Sequence, residues 1–373
     1  MNSKKSLGLY LHVPFCVQKC RYCDFCSVAG RSAEVISEYC QRLAATARDF
    51  AKRAGDFQVD TVYFGGGTPS LMSLGDAELV MNTLAAHYDI AKDAEITFEC
   101  NPATADLEYF RGLRSLGINR ISMGLQSALD SELALLGRIH TAEEFSRTFE
   151  DARRAGFDNI SADLMYGIPD QTMESFCRSI DYLAAHRPEH ISAYALSVEE
   201  GTYFHKHRAE LSLADDDLQS DMYLECVSRL AKHGYERYEI SNFAKDGKYS
   251  RHNTRYWKRL DYVGFGVAAH SCFEGQRFGN SRDIAAFLRG EDITEEIATL
   301  TDEDVRAEYI MLGLRLAEGI DTEEFSRRFG EKIEENPTTR RYIENGFMRL
   351  SDGRLSFLDK GFLVSNAILA DII

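Results

Sequence analysis

The sequence predicts an α/β protein whose residues 1–204 form a parallel sheet, curved or barrel-like. Three observations carry that prediction. Six β-favouring runs alternate with five stretches of helical apolar spacing, the pattern of strands joined by helical crossovers. The first five runs end at or near a proline, glycine or asparagine breaker. Polar residues gather at those ends, which form the functional face of a (β/α) barrel.

Residues 7–13 form the first run, and Pro14 turns it into a loop. Residues 34–53 place Val35, Tyr39, Leu43, Ala47 and Phe50 at helical spacing. The strand at 59–64 ends in Gly65, Gly66, Gly67, Thr68 and Pro69. Glycines ordinarily serve turns; between a strand and a helix they also let a ligand approach the backbone. Strands follow at 95–99, 119–123, 159–166 and 190–197, separated by helices at 106–116, 130–137, 142–155 and 172–186. Glu99, Gln126 and Asp163 thus fall with Gly66 and Gly67 at strand ends. No run precedes a G-x-G-x-x-G dinucleotide fingerprint.

The first strand feeds Cys16-x3-Cys20-x2-Cys23, three thiols within eight residues. Thiolates are soft ligands for zinc, copper(I) or iron–sulfur clusters, and this spacing is unusual for zinc. Three thiolates on a four-iron cluster leave one iron open. Cys26 offers the alternative of a closed four-thiolate site, against its ordinary reading as a half-buried free cysteine.

Residues 205–300 break the alternation and read as an α+β segment closing the barrel. Asp215, Asp216 and Asp217 open a helix to about Lys232, acids there complementing the helix dipole. A strand at 235–244 precedes a stretch rich in aromatics and histidine: His252, Asn253, Tyr256, Trp257, Tyr262 and His270. A packed aromatic edge is the bland account of it. Residues 291–304, with seven acids and no Lys or Arg, read as an exposed linker or helix entrance. Residues 301–373 then read as a winged-helix-like domain: a capped helix at 305–317, two short helices, a hairpin turning at Asp352-Gly353 and a last helix. Its fifteen acids against ten Lys and Arg disfavour DNA, leaving a structural or protein-contact module.

Composition narrows the class. The chain has 373 residues, 44% of them hydrophobic, and a net charge of −16. No apolar stretch reaches the roughly 20 residues that span a bilayer. Nine cysteines, an odd number concentrated near one end, argue for a reducing compartment and metal use. The cytoplasm is the expected location, without nucleic acid as a partner.

Tyr10-x-His12-x-Pro14-Phe15-Cys16-x3-Cys20-x-Tyr22-Cys23-Asp24-Phe25 resembles the cluster loop of radical S-adenosylmethionine proteins, in the branch of the oxygen-independent coproporphyrinogen dehydrogenases. The Cys-Asp-Phe ending is more similar to the HemW haem chaperone family; the dehydrogenases carry a further cysteine where Phe25 stands. Cys26 departs from both patterns. The resemblance implies a partial (β/α)6 barrel and a [4Fe-4S] cluster on Cys16, Cys20 and Cys23. It implies S-adenosylmethionine contacts at Tyr10, Tyr22, Gly66, Gly67, Thr68, Glu99, Gln126, Arg138 and Asp163. His252-Asn253-x-x-Tyr256-Trp257 matches the HNxxYW segment tied in that family to haem, with His252 as the expected axial ligand.

The implied function is a chaperone that binds haem, cluster and S-adenosylmethionine and passes haem to acceptor proteins. Homodimerisation and membrane contact through the acceptors are open. The alternative is a dehydrogenase decarboxylating coproporphyrinogen III, disfavoured by Phe25 and by the fifteen residues before Cys16, which are expected to leave no room for the dehydrogenases' long leading segment. An RNA-modifying radical enzyme fits the acidic chain poorly.

Overall fold

Strands covered on both faces must be apolar almost throughout, and the central runs obey this. In the computed structural model, which describes residues 4–373, six strands lie in parallel and in chain order. They are β1 (Lys5–Val13), β2 (Phe57–Gly66), β3 (Ile90–Cys100), β4 (Arg120–Gln126), β5 (Ile160–Tyr166) and β6 (His190–Ala195). Leu9, Leu11, Phe64, Phe98, Ile121 and Leu164 are buried between them and the surrounding helices. The crossovers are α1 (Ala33–Phe50), α2 (Leu74–His87), α3 (Leu107–Ser115), α4 (Asp130–Leu136) with α5 (Ala142–Arg154), and α6 (Met173–Ala185).

Local chemistry starts and stops these helices. Ser73, Asp106, Thr141 and Thr172 each accept a backbone N–H from the first turn of the helix that follows. Gly137 ends α4 in the left-handed conformation at φ 74°. The expected alternation is therefore the observed one, with β2 and β3 longer than their apolar runs.

The next segment corrects an expectation. Helix α7 (Asp216–Lys232) begins at Asp215, whose side chain accepts Leu218 N–H, as the acidic start predicts. The single strand expected at 235–244 is two, β7 (Glu236–Arg237) and β8 (Asn242–Ala244), and β8 pairs antiparallel with both β6 and β7. After α8 (Arg251–Trp257) the chain crosses to the far side of β1, where β9 (Tyr262–Phe265) runs parallel to it. From there β10 (His270–Phe273), β11 (Gln276–Asn280) and β12 (Thr294–Thr299) continue antiparallel, with α9 (Ile284–Arg289) between the last two.

The sheet order is β12-β11-β10-β9-β1-β2-β3-β4-β5-β6-β8-β7. The segment does not close the barrel; it lengthens an open sheet at both edges. The acid-rich stretch expected as a linker lies partly in β12, an edge strand exposed along its whole length. Charge on such an edge disfavours pairing with another chain.

The C-terminal region holds α10 (Asp302–Gly313), opened by a Thr301–Asp304 capping box and shorter than the predicted helix. It continues with β13 (Ile320–Asp321), α11 (Thr322–Phe329), α12 (Pro337–Glu344), β14 (Met348–Ser351), β15 (Arg354–Phe357), α13 (Asp359–Leu363) and α14 (Ser365–Ile372). Asp352 and Gly353 turn the hairpin at φ 52° and 73°. The backbone bonds Ala317 N–H to Tyr238 O and Ile240 N–H to Arg315 O tie this region to the β7–β8 turn. Among the described residues no helix is long and apolar enough to cross a membrane.

Helix α8 is held down unusually firmly. The Glu95 carboxylate on β3 accepts the N–H groups of Arg251 and His252 at 3.0 Å each. Arg255, 2% exposed, donates to the Asp60 carboxylate, the Asp261 carbonyl and the Ser6 hydroxyl. Gly8 makes room for it, because a Cβ there would stand 2.7 Å from Arg255 Cδ. Asp60 keeps 26% of its side chain exposed, so losing Arg255 removes charge-assisted hydrogen bonds worth about 1.5–3 kcal/mol and does not strand a fully buried charge. Arg255→Ala should therefore lower the unfolding free energy by that order in chemical denaturation; a loss below about 1 kcal/mol would mean the pair is solvated.

Candidate functional site

The cysteine loop is anchored before any ligand arrives. Phe15–Cys16 pairs in parallel with Val28–Ala29, drawing the two ends of the loop together. Its middle is pinned to the end of α4: Arg21 N–H donates to Leu136 O at 2.9 Å, and Gln18 Nε2 to Gly137 O at 3.1 Å. Cys16, Cys20 and Cys23 line one cavity of about 430 Å³ above the strand ends. Cys26 does not; it lines a separate cleft and, with Cys23, a smaller pocket beside the loop, and its carbonyl accepts a hydrogen bond from His12 Nε2 at 2.9 Å. No three His, Cys, Asp or Glu side chains among the described residues are gathered closely enough for a single metal ion. A ring of thiols around a cavity suits a multi-iron body, whose ligands sit on different irons.

The strand register builds the rest of the cavity. Glu99 sits beside Ser122, and Asp163 beside Gly124 and Ser192. The Glu99 carboxylate accepts Tyr63 Oη–H at 2.7 Å and Gly66 N–H at 3.1 Å. Burial pushes Glu99 up to about 7 against these hydrogen bonds, and nearby Asp163 adds to the rise. Burial likewise pushes Asp163 up to about 6, opposed by Ser192, Arg120 and Arg138.

A register shift between β4 and β5 at Gly124/Gln126, with Gln126 at φ 64°, turns the Gln126 side chain toward Tyr194. Arg138 donates to Asn101 Oδ1 at 3.0 Å and Gly124 O at 3.1 Å, and lies 3.7 Å from Cys20 Sγ. Thr68 Oγ1 lies 3.7 Å from Cys16 Sγ.

Three buried atoms of residues lining this cavity lack a protein partner, Ser27 Oγ, Gln126 Oε1 and Arg138 Nε. An acceptor, a guanidinium donor and two acids held near neutrality fit a ligand that carries ammonium, carboxylate and hydroxyl groups. The glycines serve chain packing more than ligand approach. A Cβ on Gly66 would stand 2.4 Å from the His12 ring, and one on Gly67 2.6 Å from Phe15 O.

Of the residues the sequence singled out, Tyr22, Gly66, Gly67, Thr68, Glu99, Gln126, Arg138 and Asp163 line this cavity with the three cysteines. Tyr10 does not. It lines the cleft of Cys26, where its hydroxyl meets His12 Nδ1 at 2.9 Å and its ring stacks on Tyr63. Sequence reasoning missed Tyr194, Asn101 and Gly124. Asn101, which ends the third run, joins Thr68 to Arg138.

The helix of the HNxxYW segment turns His252 and Tyr256 to one face and Trp257 to another. His252 is fully buried, with Nδ1 2.9 Å from Thr61 Oγ1 and Nε2 2.9 Å from Tyr256 Oη. Burial pushes its pKa down to about 3, with Arg255 and Arg120 contributing. The expected axial ligand thus has neither nitrogen free in this structure. Trp257 is turned toward Arg315, 5.9 Å from its ring, while Asn253 is half-buried at the helix start capped by Ser250. Only Tyr256 reaches an open cleft, the one lined by Tyr10, Cys26 and His270.

A three-cysteine loop over the strand ends of a parallel β/α sheet is the site of the radical S-adenosylmethionine class, and the Radical SAM superfamily model matches residues 10–183. The HemN C-terminal domain model matches residues 300–364. The protein named heme chaperone HemW of Bacillus subtilis is 31% identical over 96% of this chain and 97% of its own. That of Escherichia coli is 35% identical, covering 86% and 85%. The chain belongs to the HemW family. The solved structure of coproporphyrinogen III oxidase HemN from Escherichia coli matches with TM-score 0.86 over 99% of this chain and 90% of that one. At 21% identity that likeness is one of fold.

Both cavity acids are raised, so the folded state favours their protonated forms. The unliganded protein should lose stability as pH rises from the ordinary carboxylate range through about 6 and 7, since the unfolded chain releases these protons earlier. Thermal melts across that range should show the fall, and Glu99→Gln should flatten it. An equally steep profile in Glu99→Gln would place the titration elsewhere.

Proposed function

We propose that this chain is a haem chaperone on a radical S-adenosylmethionine scaffold. It holds a [4Fe-4S] cluster on Cys16, Cys20 and Cys23, binds S-adenosylmethionine beside it, and passes haem to acceptor proteins in the cytoplasm. The observation that supports the scaffold most directly is that three thiols share one cavity with Glu99, Gln126, Arg138 and Asp163, a cavity that Cys26 does not line. Membership of the HemW family supports the haem cargo.

When bound, the cluster and its sulfonium cofactor supply one-electron chemistry. The chain's own residues position and shield. Arg138, beside Cys20, is placed to balance thiolate charge and to meet a carboxylate. Burial holds Glu99 and Asp163 above the ordinary carboxylate range, and a cation opposite them stabilises their ionised forms, so they favour a ligand with ammonium and sulfonium groups. Tyr10 acts at one remove, through Tyr63, whose hydroxyl orients Glu99.

Single serine substitutions with iron counting test the ligand set. Cys16→Ser, Cys20→Ser and Cys23→Ser should each abolish a stable cluster, and Cys26→Ser should keep it. Loss in Cys26→Ser equal to that in Cys20→Ser would convert the site to a closed four-thiolate one. S-Adenosylmethionine should stabilise the reconstituted protein more above about pH 7 than below it, where Glu99 is protonated. A second assay separates chaperone from dehydrogenase. The reconstituted, reduced protein should transfer haem to an apo-acceptor and should leave coproporphyrinogen III unconverted; sustained formation of decarboxylated product would establish the enzyme instead.

A further inference from the structure

Strand β2 breaks its own alternation where it faces helix α8. Consecutive side chains of a regular strand point to opposite faces. At Asp60 the pairing of β2 shifts register against both β1 and β3, leaving Gly8 and Glu95 opposite Thr61. Such a bulge re-aims side chains. Here it sends two neighbours to one helix, Asp60 to Arg255 and Thr61 Oγ1 to within 2.9 Å of His252 Nδ1. Glu95 accepts the backbone N–H of the same histidine at 3.0 Å. Two adjacent strands therefore grip His252, one by its main chain and one by its ring.

The rest of the ring is held as closely. Tyr63 and Tyr10 lie against it, at 5.2 and 6.3 Å between ring centres. Its Nε2 meets Tyr256 Oη at 2.9 Å. Tyr256 lines the cleft of Tyr10 and Cys26, and His252 does not, so the phenol stands between Nε2 and that opening. Burial, with Arg255 and Arg120 nearby, keeps the imidazole neutral. It then has one N–H and one lone pair to share between two hydroxyls, neither of which has another hydrogen-bond partner among the described residues. A phenol is the stronger acid and the better donor. The N–H therefore sits on Nδ1, donating to Thr61, and the Nε2 lone pair accepts from Tyr256.

An Nδ1–H held by an oxygen, with the lone pair on Nε2, is the tautomer of a metal-ligating histidine. We propose that Thr61 and Tyr256 prepare His252 for haem iron from opposite sides. Thr61 is a positioning residue that fixes the tautomer, and Tyr256 is a gate whose hydroxyl holds Nε2 until iron replaces it. The proposal rests on the haem-chaperone reading. In the exchange an Fe–Nε2 bond forms, the Oη–H···Nε2 hydrogen bond breaks, and the proton stays on the phenol. Glu95 and Arg255 clamp α8, so rotation of one side chain suffices, and the cleft of about 380 Å³ beside Tyr256 gives its ring room.

The two hydroxyls then act with opposite sign, which haem titration of the full-length, cluster-reconstituted chain can read. Tyr256→Phe keeps the ring and removes the competitor, so haem should bind about three- to tenfold more tightly. Its Soret band and ferric paramagnetic resonance should stay those of the parent. Thr61→Val keeps the volume and removes the acceptor. Its affinity should fall by a similar factor and its ferrous iron–histidine stretching frequency should drop, with Thr61→Ser restoring both. A Thr61→Val protein that melts earlier at an unchanged frequency has lost only packing, which overturns the positioning role. Unchanged or weaker binding in Tyr256→Phe overturns the gate, and that variant decides alone if Thr61→Val does not fold. A histidine-type signature that survives His252→Ala overturns the whole inference and leaves the chaperone reading standing. A parent protein that shows no Soret shift overturns that reading itself.

Discussion

The hydrogen bond from Gly66 N–H to the Glu99 carboxylate is the joint on which the site depends. It holds the glycine segment over the end of β3. The same segment is clamped to the chain entering the cysteine loop, through Gly67 N–H to Val13 O at 2.9 Å and Thr68 N–H to Phe15 O at 2.7 Å. One carboxylate therefore sets the distance between the acidic floor and the thiols above it. That geometry needs a left-handed glycine at Gly66, at φ 110°, against a histidine ring that leaves no space for a Cβ.

Keeping such a carboxylate buried costs free energy, and the cavity shows how the cost is spread. Glu99 has a phenol and an amide as donors, Asp163 has Ser192, and Arg120 and Arg138 contribute positive field. None of these fully offsets desolvation, and both acids stay raised. The unsatisfied Gln126 Oε1 and Arg138 Nε belong to the same pattern. A polar cavity this incompletely paired is built to be completed by something else.

The central sheet and its rim were legible in the sequence because parallel strands announce themselves twice, by apolar runs and by breakers, and the side chains at the breakers face one cavity. Tyr194 and Asn101 were not legible. Their roles depend on a bulge at Gln126 and on Arg138 folding back from beyond α4, neither of which has a local signature. The 205–300 segment failed for a related reason. Whether a strand closes a barrel or extends a sheet is decided by non-local pairing, here of Tyr262–Phe265 with β1. In the HNxxYW segment a seven-residue helix puts His252 and Tyr256 on one face, hydrogen-bonded to each other, and Trp257 on another, toward Arg315; which face is buried depends on Thr61 and Glu95 from distant strands and has no local signature.

Asp24 and Phe25 line both the thiol cavity and the cleft of His270, so a single short piece of chain separates the two. Phe25 is 66% exposed and little held by packing. Were both compartments filled, a partition this thin would link them thermodynamically. Whatever displacement of these two residues one occupant favours, the other meets as a change in its own affinity, and the factor is the same in either direction. Traffic through one compartment would thereby register the state of its neighbour with no motion of the sheet beneath them.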